Sequence, residues 1–241
     1  MTSASHVKVP VQVKPLLQSI GRIAEGLGMP AYAVGGCVRD WLLQAPDKTD
    51  VDVTVEGNGI AVAQAVARAF GGTVNAHRQF GTATVTMGGR RVDFATCRRE
   101  RYANPAAYPT VTPGTLEEDL FRRDFTMNAM AVALSPVRFG LLVDPFHGAD
   151  DLSCRQLRIL HERSFTDDPS RILRGIRFAE RFALRWEPRT AQALRNAMAD
   201  GALGRLNAGR LHKELDRMLD EPDPPACLKR LAACLTSSGR P

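Results

Sequence analysis

The stretch Asp50-Val51-Asp52-Val53-Thr54-Val55, preceded by Gly35-Gly36-Cys37-Val38-Arg39-Asp40, carries the reading of this chain. Taken as a strand, Val51, Val53 and Val55 point to one face while Asp50, Asp52 and Thr54 point to the other. Two carboxylates on one face, with no cation beside them in sequence, repel unless something positive lies between them. Hard divalent cations such as Mg2+ take carboxylate oxygens and leave positions open for water and substrate phosphates. A Gly-Gly turn entering a helix offers backbone N–H groups and the positive end of a helix dipole, which suits a phosphate. Acid pair and phosphate cradle together point to metal-assisted nucleotidyl transfer.

Each of these signals has a plainer reading. Gly35-Gly36 alone is an ordinary strand-to-helix turn; Arg39 behind it and the acid pair a dozen residues on favour the phosphate. Downstream, Val92 and Phe94 face one way on a strand over Arg91–Thr96, and Arg91 and Asp93 face the other. Beside Asp50 and Asp52, Asp93 is a third carboxylate at the metals. On a solvated face it is an acid paired with Arg91 or Arg98, and both readings stand.

Around this centre the chain reads as alternating helices and strands. Leu16, Leu17, Ile20, Ile23, Ala24 and Leu27 recur at helical spacing, with Gly26 and Gly28 closing the helix. Ala31–Val34 is a short buried strand, and Val38–Leu43 the helix after the glycine turn. An Ala/Val-rich helix spans 59–70. Strands follow over Thr73–Asn75, Thr82–Met87 and Arg91–Thr96, with Gly88-Gly89 as a hairpin turn. Cys97–Thr115 lacks any apolar period and is expected to be a long functional loop. Arg123, Asp124 and Asn128 are placed to hydrogen-bond a sugar or phosphates, the plainer reading being a salt-bridged cap in which Asp124 starts the next helix. Leu141–Phe146 is placed to form a strand ending in a turn. His147, beside a glycine, is expected on the surface.

The remainder is helical. Thr166-Asp167-Asp168-Pro169-Ser170 has helix-start chemistry, and Ile172, Leu173, Ile176, Ala179 and Phe182 supply a core stripe. Asp168, Arg171, Arg174, Arg177 and Arg181 fall on the opposite surface, with no balancing Glu at i+4. Further helices are expected over 188–200, 207–220 and 226–235.

Composition narrows the partners. The 241 residues are 44% hydrophobic and 24% charged with a net charge of +6, as in an ordinary globular protein. Of 32 basic residues five are lysine and the rest arginine. Arginine favours bidentate phosphate contacts and base stacking, hence a nucleotide or anionic polymer. A GC-rich genome writing Arg for Lys is the bland source of that bias. Five cysteines, at 37, 97, 154, 227 and 234, form no CxxC pair and read as small core residues in a reducing compartment. Met1–Pro10 has no apolar h-region and no long uncharged apolar run occurs, so no membrane partner and a cytoplasmic location are expected.

Five motifs run in a fixed order: Gly35-Gly36-x-x-Arg39-Asp40; Asp50-x-Asp52; Arg122-Arg123-Asp124-Phe125-Thr126-Met127-Asn128-Ala129; Asp144-Pro145-x-x-Gly148-x-x-Asp151-Leu152; and Asp167-Asp168-Pro169-Ser170-Arg171-Ile172-Leu173-Arg174. The series resembles the class II tRNA nucleotidyltransferases (CCA-adding enzymes) and bacterial poly(A) polymerases of the polymerase-β-type superfamily, over residues 30–220. The resemblance implies an α+β fold. A nucleotidyltransferase head, a mixed sheet flanked by helices, occupies 1–155, and an all-helical neck that binds base and RNA occupies 156–241.

Carried over, Asp50 and Asp52 hold two Mg2+ ions, with Asp93 assisting catalysis. Gly35, Gly36 and Arg39 hold the triphosphate of CTP or ATP. Arg123 and Asp124, with Asn128 in support, contact the ribose and so favour ribonucleotides, and Arg122 is a further nucleotide-binding residue. Asp168 and Arg171 present an edge to the base, with Arg174 and Arg177 behind them. The implied reaction is in-line attack of a tRNA 3′-hydroxyl on the α-phosphate, one ion lowering the hydroxyl pKa and the other stabilising pyrophosphate. The product is CCA, CC or A.

Two features depart from the family. The base-reading motif begins Asp167-Asp168 rather than Glu-Asp. Little sequence follows Leu219, so the body and tail helices that grip tRNA in the family are expected to be missing or truncated here. The alternatives are poly(A) polymerase, a non-catalytic RNA-binding module, and nucleotide transfer to a small molecule. His77-Arg78-Gln79-Phe80-Gly81-Thr82-Ala83 resembles the tRNA enzymes more than the polyadenylating branch. Oligomeric state is not legible.

Overall fold

The structure, a computed structural model, describes residues 5–45 and 51–237. Asp50, one of the two expected metal ligands, therefore lies outside the described residues. The chain divides into two compact units. The first comprises Met1–Glu100, Val111–Arg123 and Met127–Ala149, and the second Arg101–Thr110, Asp124–Thr126 and Asp150–Pro241.

The first unit opens with α1 (Lys14–Gly26), whose buried face Leu17, Ile20, Gly21 and Ala24 follows the expected helical spacing. Gly21 is needed there because any Cβ would run into the Leu134 carbonyl. Then come β1 (Ala31–Val34), α2 (Gly36–Leu42), β2 (Val51–Val55) and α3 (Gly59–Phe70). Asn58 caps α3, its side chain accepting from the Ala61 N–H. β3 (Thr73–His77), β4 (Thr82–Met87) and β5 (Arg90–Thr96) complete this run, with β4 and β5 meeting in a hairpin that pairs Met87 with Arg90.

The expected loop after Cys97 is instead partly ordered as a ribbon. β6 (Arg98–Arg101) and β7 (Thr110–Pro113) form a two-stranded sheet. A capping box follows: Thr115 Oγ1 accepts from the Glu118 N–H, and the Glu118 carboxylate accepts from the Thr115 N–H, starting α4 (Leu116–Phe121). Asp124 caps no α-helix; its carboxylate accepts from the Phe125 N–H (2.8 Å) ahead of a single 3-10 turn over Thr126–Asn128. β8 (Ala131–Ala133) and β9 (Leu142–Val143) close the sheet, whose order is β3-β4-β5-β2-β1-β8-β9. β2 is its centre, antiparallel to β1 and parallel to β5, with Val51, Val53 and Val55 buried. The α+β class with a mixed sheet is as expected.

The second unit is mostly helical. After α5 (Gly148–Ser153) and β10 (Gln156–Leu157) come α6 (Ser164–Asp167), α7 (Ser170–Arg181), β11 (Arg185–Trp186), α8 (Pro188–Ala199), α9 (Ala208–Leu219) and α10 (Pro224–Ser237). Its core is aromatic: Phe125 lies 6.0 to 6.4 Å, centroid to centroid, from Phe165, Phe178 and Trp186. Gly175 of α7 lets the Phe125 and Trp186 rings approach the helix backbone. Among the described residues no helix is long and apolar enough to cross a membrane.

Two sequence expectations are corrected here. Arg171 and Arg177 are buried, at 4% and 6% exposure: the Ser164 hydroxyl accepts from Arg171, and the acids Glu214 and Glu221 from outside α7 cover Arg177. Among the cysteines, 37, 97 and 227 are buried but Cys154 is exposed.

Candidate active site

In the first unit the site starts where β1 ends. Gly35 sits at φ +76°, a region that side-chain-bearing residues rarely adopt, and its N–H donates to the Met130 carbonyl (3.1 Å). A Cβ at Gly35 would lie 2.7 Å from Arg123 Nη1, so the Arg123 guanidinium rests against the turn. Arg39, one turn into α2, is 5% exposed. Its Nη1 donates to Asn128 Oδ1 (2.6 Å) and its Nε to Asp40 Oδ1 (2.9 Å). Arg123 Nη1 also approaches the Asn128 carbonyl (3.5 Å). Residues from positions 35 to 128 thus meet at one turn.

Asp119, not singled out from sequence, anchors this cluster. It is fully buried and accepts from Arg122 Nε (3.0 Å), Arg122 Nη2 (2.8 Å) and Arg123 Nη2 (3.0 Å). Burial alone pushes its carboxyl up, but the charges and hydrogen bonds of Arg123 and Arg122 outweigh it and hold the group below the usual carboxylate range. Arg122 reaches further, to Glu100 on β6 (3.1 Å).

Asp52 is exposed on β2. Its backbone N–H and carboxylate both act on the Cys37 thiol in the first turn of α2, which places Asp52 close to the glycine turn. Burial, then the Asp52 charge, pushes that thiol up to about 12. The parallel β2–β5 register sets Asp52 directly beside Asp93. Asp93 is held by Thr84 Oγ1 (2.5 Å) and by Arg91 Nε and Nη2, so the arginine pairing read from sequence and the position beside Asp52 both occur. Two exposed or half-buried carboxylates on neighbouring strands are an oxygen-only donor set of the kind a hard cation takes. Among the described residues no group of three or more His, Cys, Asp or Glu is gathered for a metal.

The second unit holds the remaining expected residues, each in an ion pair or hydrogen bond. Asp124 Oδ2 accepts from Arg174 Nε (2.8 Å) and Nη2 (2.6 Å), and the Asp124 charge raises the Arg174 pKa further. Arg171 Nη1 donates to Ser164 Oγ (2.8 Å). Arg177 lies between Glu214 (3.5 Å) and Glu221 (3.3 Å); burial lowers its pKa while both acids oppose the shift. Asp168 accepts from the Ser170 N–H (3.0 Å) and hydroxyl (2.5 Å), and pairs with Arg210. Arg210, Glu214 and Glu221 escaped the sequence reading, because partners some forty residues distant leave no local signal.

A mixed sheet with aligned acids on β2 and β5 and an arginine-lined glycine turn after β1 defines the class: an α+β head of the polymerase-β nucleotidyltransferase type. The chain belongs to the family described as Poly A polymerase head domain, whose profile matches residues 31–158. An A-adding tRNA nucleotidyltransferase of Halalkalibacterium halodurans is 43% identical over 224 residues, covering 90% of this chain and 51% of the relative. A CC-adding tRNA nucleotidyltransferase of Deinococcus radiodurans is 40% identical over 193 residues, covering 79% and 50%. A crystal structure of a tRNA nucleotidyltransferase complexed with a primer tRNA and an incoming ATP analog superimposes with a TM-score of 0.81 at 40% identity, covering 89% of this chain and 60% of that one. The chain spans a quarter to a half of the length of the curated relatives it matches.

Proposed function

We propose that this chain is the catalytic head (1–155) and neck (156–241) of a template-independent tRNA nucleotidyltransferase, adding C, A or both from CTP and ATP to a tRNA 3′ end with release of pyrophosphate. The observation that carries the reading is the placement of Asp52 beside Asp93, with Asp52 against the start of an arginine-lined glycine turn. The names of the relatives, A-adding and CC-adding, support tRNA as acceptor.

Asp50 and Asp52 are the residues that would hold magnesium, with Asp93 as a neighbouring acid. Bound magnesium would supply positive charge to the attacking hydroxyl and the leaving pyrophosphate. The chain's own groups do the rest. Gly35 and Gly36 leave room for phosphate oxygens close to backbone. Arg39 and Arg123, fixed by Asn128 and Asp119, present pre-oriented guanidinium groups to the triphosphate, which lowers the reorganisation cost at reaction. Arg122 holds Asp119 in place, and Asn128 serves the ribose. Asp168 accepts from the exocyclic amino group that C and A both carry, with Arg171, Arg174 and Arg177 shaping the edge behind it. U and G offer a carbonyl there and would leave the acid unpaired, which is a costly mismatch. Five free cysteines fit a reducing, cytoplasmic setting.

The test is incubation with Mg2+, CTP or ATP and tRNA trimmed to each 3′ length, followed by product sequencing. Asp52→Ala should abolish incorporation while leaving the melting temperature within a few degrees. Retained incorporation in that variant, or extension by A alone of RNA that is not tRNA, refutes the proposal.

A further inference from the structure

The carboxylate proposed to read the base has its two oxygens in unequal positions. The Ser170 N–H (3.0 Å), the Ser170 hydroxyl (2.5 Å) and Arg210 Nη2 all donate to Asp168 Oδ1. Among the described residues none of the hydrogen bonds to this carboxylate reaches Oδ2. The side chain keeps 18% exposure, so the unengaged oxygen belongs to a group that solvent or a ligand reaches.

Arg210 is itself fixed from several directions. Its guanidinium lies over the Tyr108 ring, 5.7 Å from the centroid, and its Nη1 donates to the Ala106 carbonyl (3.4 Å). Its backbone N–H donates to Asn207 Oδ1 (2.9 Å), the cap of α9, while Asn207 Nδ2 donates to the Tyr108 hydroxyl (3.2 Å). A guanidinium tethered this way cannot follow a rotating carboxylate, so together with the two Ser170 donors it fixes which oxygen turns outward.

We propose that Arg210 is a positioning and specificity-determining residue. It engages Asp168 Oδ1 so that Oδ2 alone faces the ligand as a pure acceptor, selecting bases that present an amino group. The inference rests on the reading of Asp168 given under the proposed function. A single oriented acceptor accommodates an amino donor and rejects a carbonyl. A carboxylate free to turn about its own bond loses that directionality and tolerates water between itself and the wrong base. Charge adds to the effect: without Arg210 the same acid would lose its oriented, charge-assisted bond.

The experiment measures single-nucleotide incorporation of CTP, ATP, UTP and GTP into trimmed tRNA by the wild type, Asp168→Ala, Arg210→Ala and Arg210→Lys, with thermal melts of each. Asp168→Ala should erode discrimination against UTP and GTP. Arg210→Ala should reduce the same ratio about 10- to 100-fold, the size of one charge-assisted hydrogen bond, through KM more than kcat. Arg210→Lys keeps a donor for Oδ1 without the planar fork, so it should recover part of the ratio and serves as the readable variant if alanine does not fold. Eroded discrimination in Asp168→Ala, with ratios within twofold of wild type in both Arg210 variants, overturns the inference and leaves base reading intact. Unchanged discrimination in Asp168→Ala overturns the base reading itself and the inference with it.

Discussion

Replacing Asp119 by asparagine removes one negative charge from between two guanidinium groups while keeping the side chain's shape. In the wild type Oδ1 receives both the Nε and Nη2 of Arg122, and Oδ2 receives Arg123 Nη2. After the change Arg122 retains Glu100 at 3.1 Å, but Arg123 retains only a long contact to the Asn128 carbonyl at 3.5 Å, and its Nε is buried without a partner. Breaking a buried ion pair by removing one member costs about 3–5 kcal/mol. With an amide still present and Glu100 still in reach, about 3 kcal/mol is the expected loss. At about 2–4 °C per kcal/mol for a protein of this size, the melting temperature falls by about 6–12 °C. The pH dependence has a definite sign. The Asp119 carboxyl titrates below its ordinary value in the folded protein. Its contribution is therefore fully present above the unfolded carboxylate pKa of about 4 and is lost as pH falls through the folded value. The gap between wild-type and Asp119→Asn melting temperatures should stay constant from neutral pH down to that range and close below it. Circular-dichroism melts across pH, alongside the KM for CTP and ATP, read both effects, with KM expected to rise because Arg123 is no longer held at the glycine turn. A variant that melts within about 2 °C of wild type at neutral pH, with unchanged KM, would refute the reasoning.

Four further outcomes are expected. Gly35→Ala forces a side chain into φ +76° and against Arg123, a strain of about 1–3 kcal/mol; the nucleotide KM should rise about tenfold in steady-state assays. Gly175→Ala gains helix propensity of about 1 kcal/mol but drives a methyl into Trp186 and Phe125, which costs about 1–3 kcal/mol; urea unfolding should show a net loss of stability. The Cys37 and Cys97 thiols are both pushed up to about 12, chiefly by burial, so native iodoacetamide labelling followed by mass spectrometry should modify exposed Cys154 first and reach those two only on unfolding. Arg101→Gln, at an exposed position, should flatten the salt dependence of tRNA binding by about one phosphate contact, whereas Arg177→Gln should lower the melting temperature and leave the salt slope unchanged.

The parts legible in sequence were those with a local period. Alternating Val51, Val53 and Val55 identify β2, and a single apolar face identifies α1 and α7. The Thr115–Glu118 capping box is an equally local signal and announces α4. The β6–β7 ribbon left no period, because its strands lie largely exposed and carry no alternating apolar face. Family motifs pointed to Gly35, Arg39, Arg123 and Asn128 as a set, but only a folded sheet brings positions 39 and 128 to 2.6 Å. Nothing local distinguishes Asp119 from the glutamates before it, since its role comes from burial between arginines that follow it.

The arginine stripe of α7 shows why charge read along a helix misleads. With no acid at i+4, Arg171, Arg174, Arg177 and Arg181 look like a grip for an anionic polymer. In the folded unit they are engaged internally. Arg171 bonds Ser164, Arg174 holds Asp124 with two nitrogens, Arg177 lies between Glu214 and Glu221, and Arg181 grips both oxygens of Glu221. A guanidinium already paired with a carboxylate adds little net field toward solvent, so this helix contributes less to attracting RNA than its composition suggests. Its arginines instead hold Ser164, Asp124, Glu214 and Glu221 in fixed orientations. Attraction of the proposed RNA acceptor therefore falls to exposed arginines elsewhere, such as Arg78, Arg101 and Arg155, none of which lies on this helix.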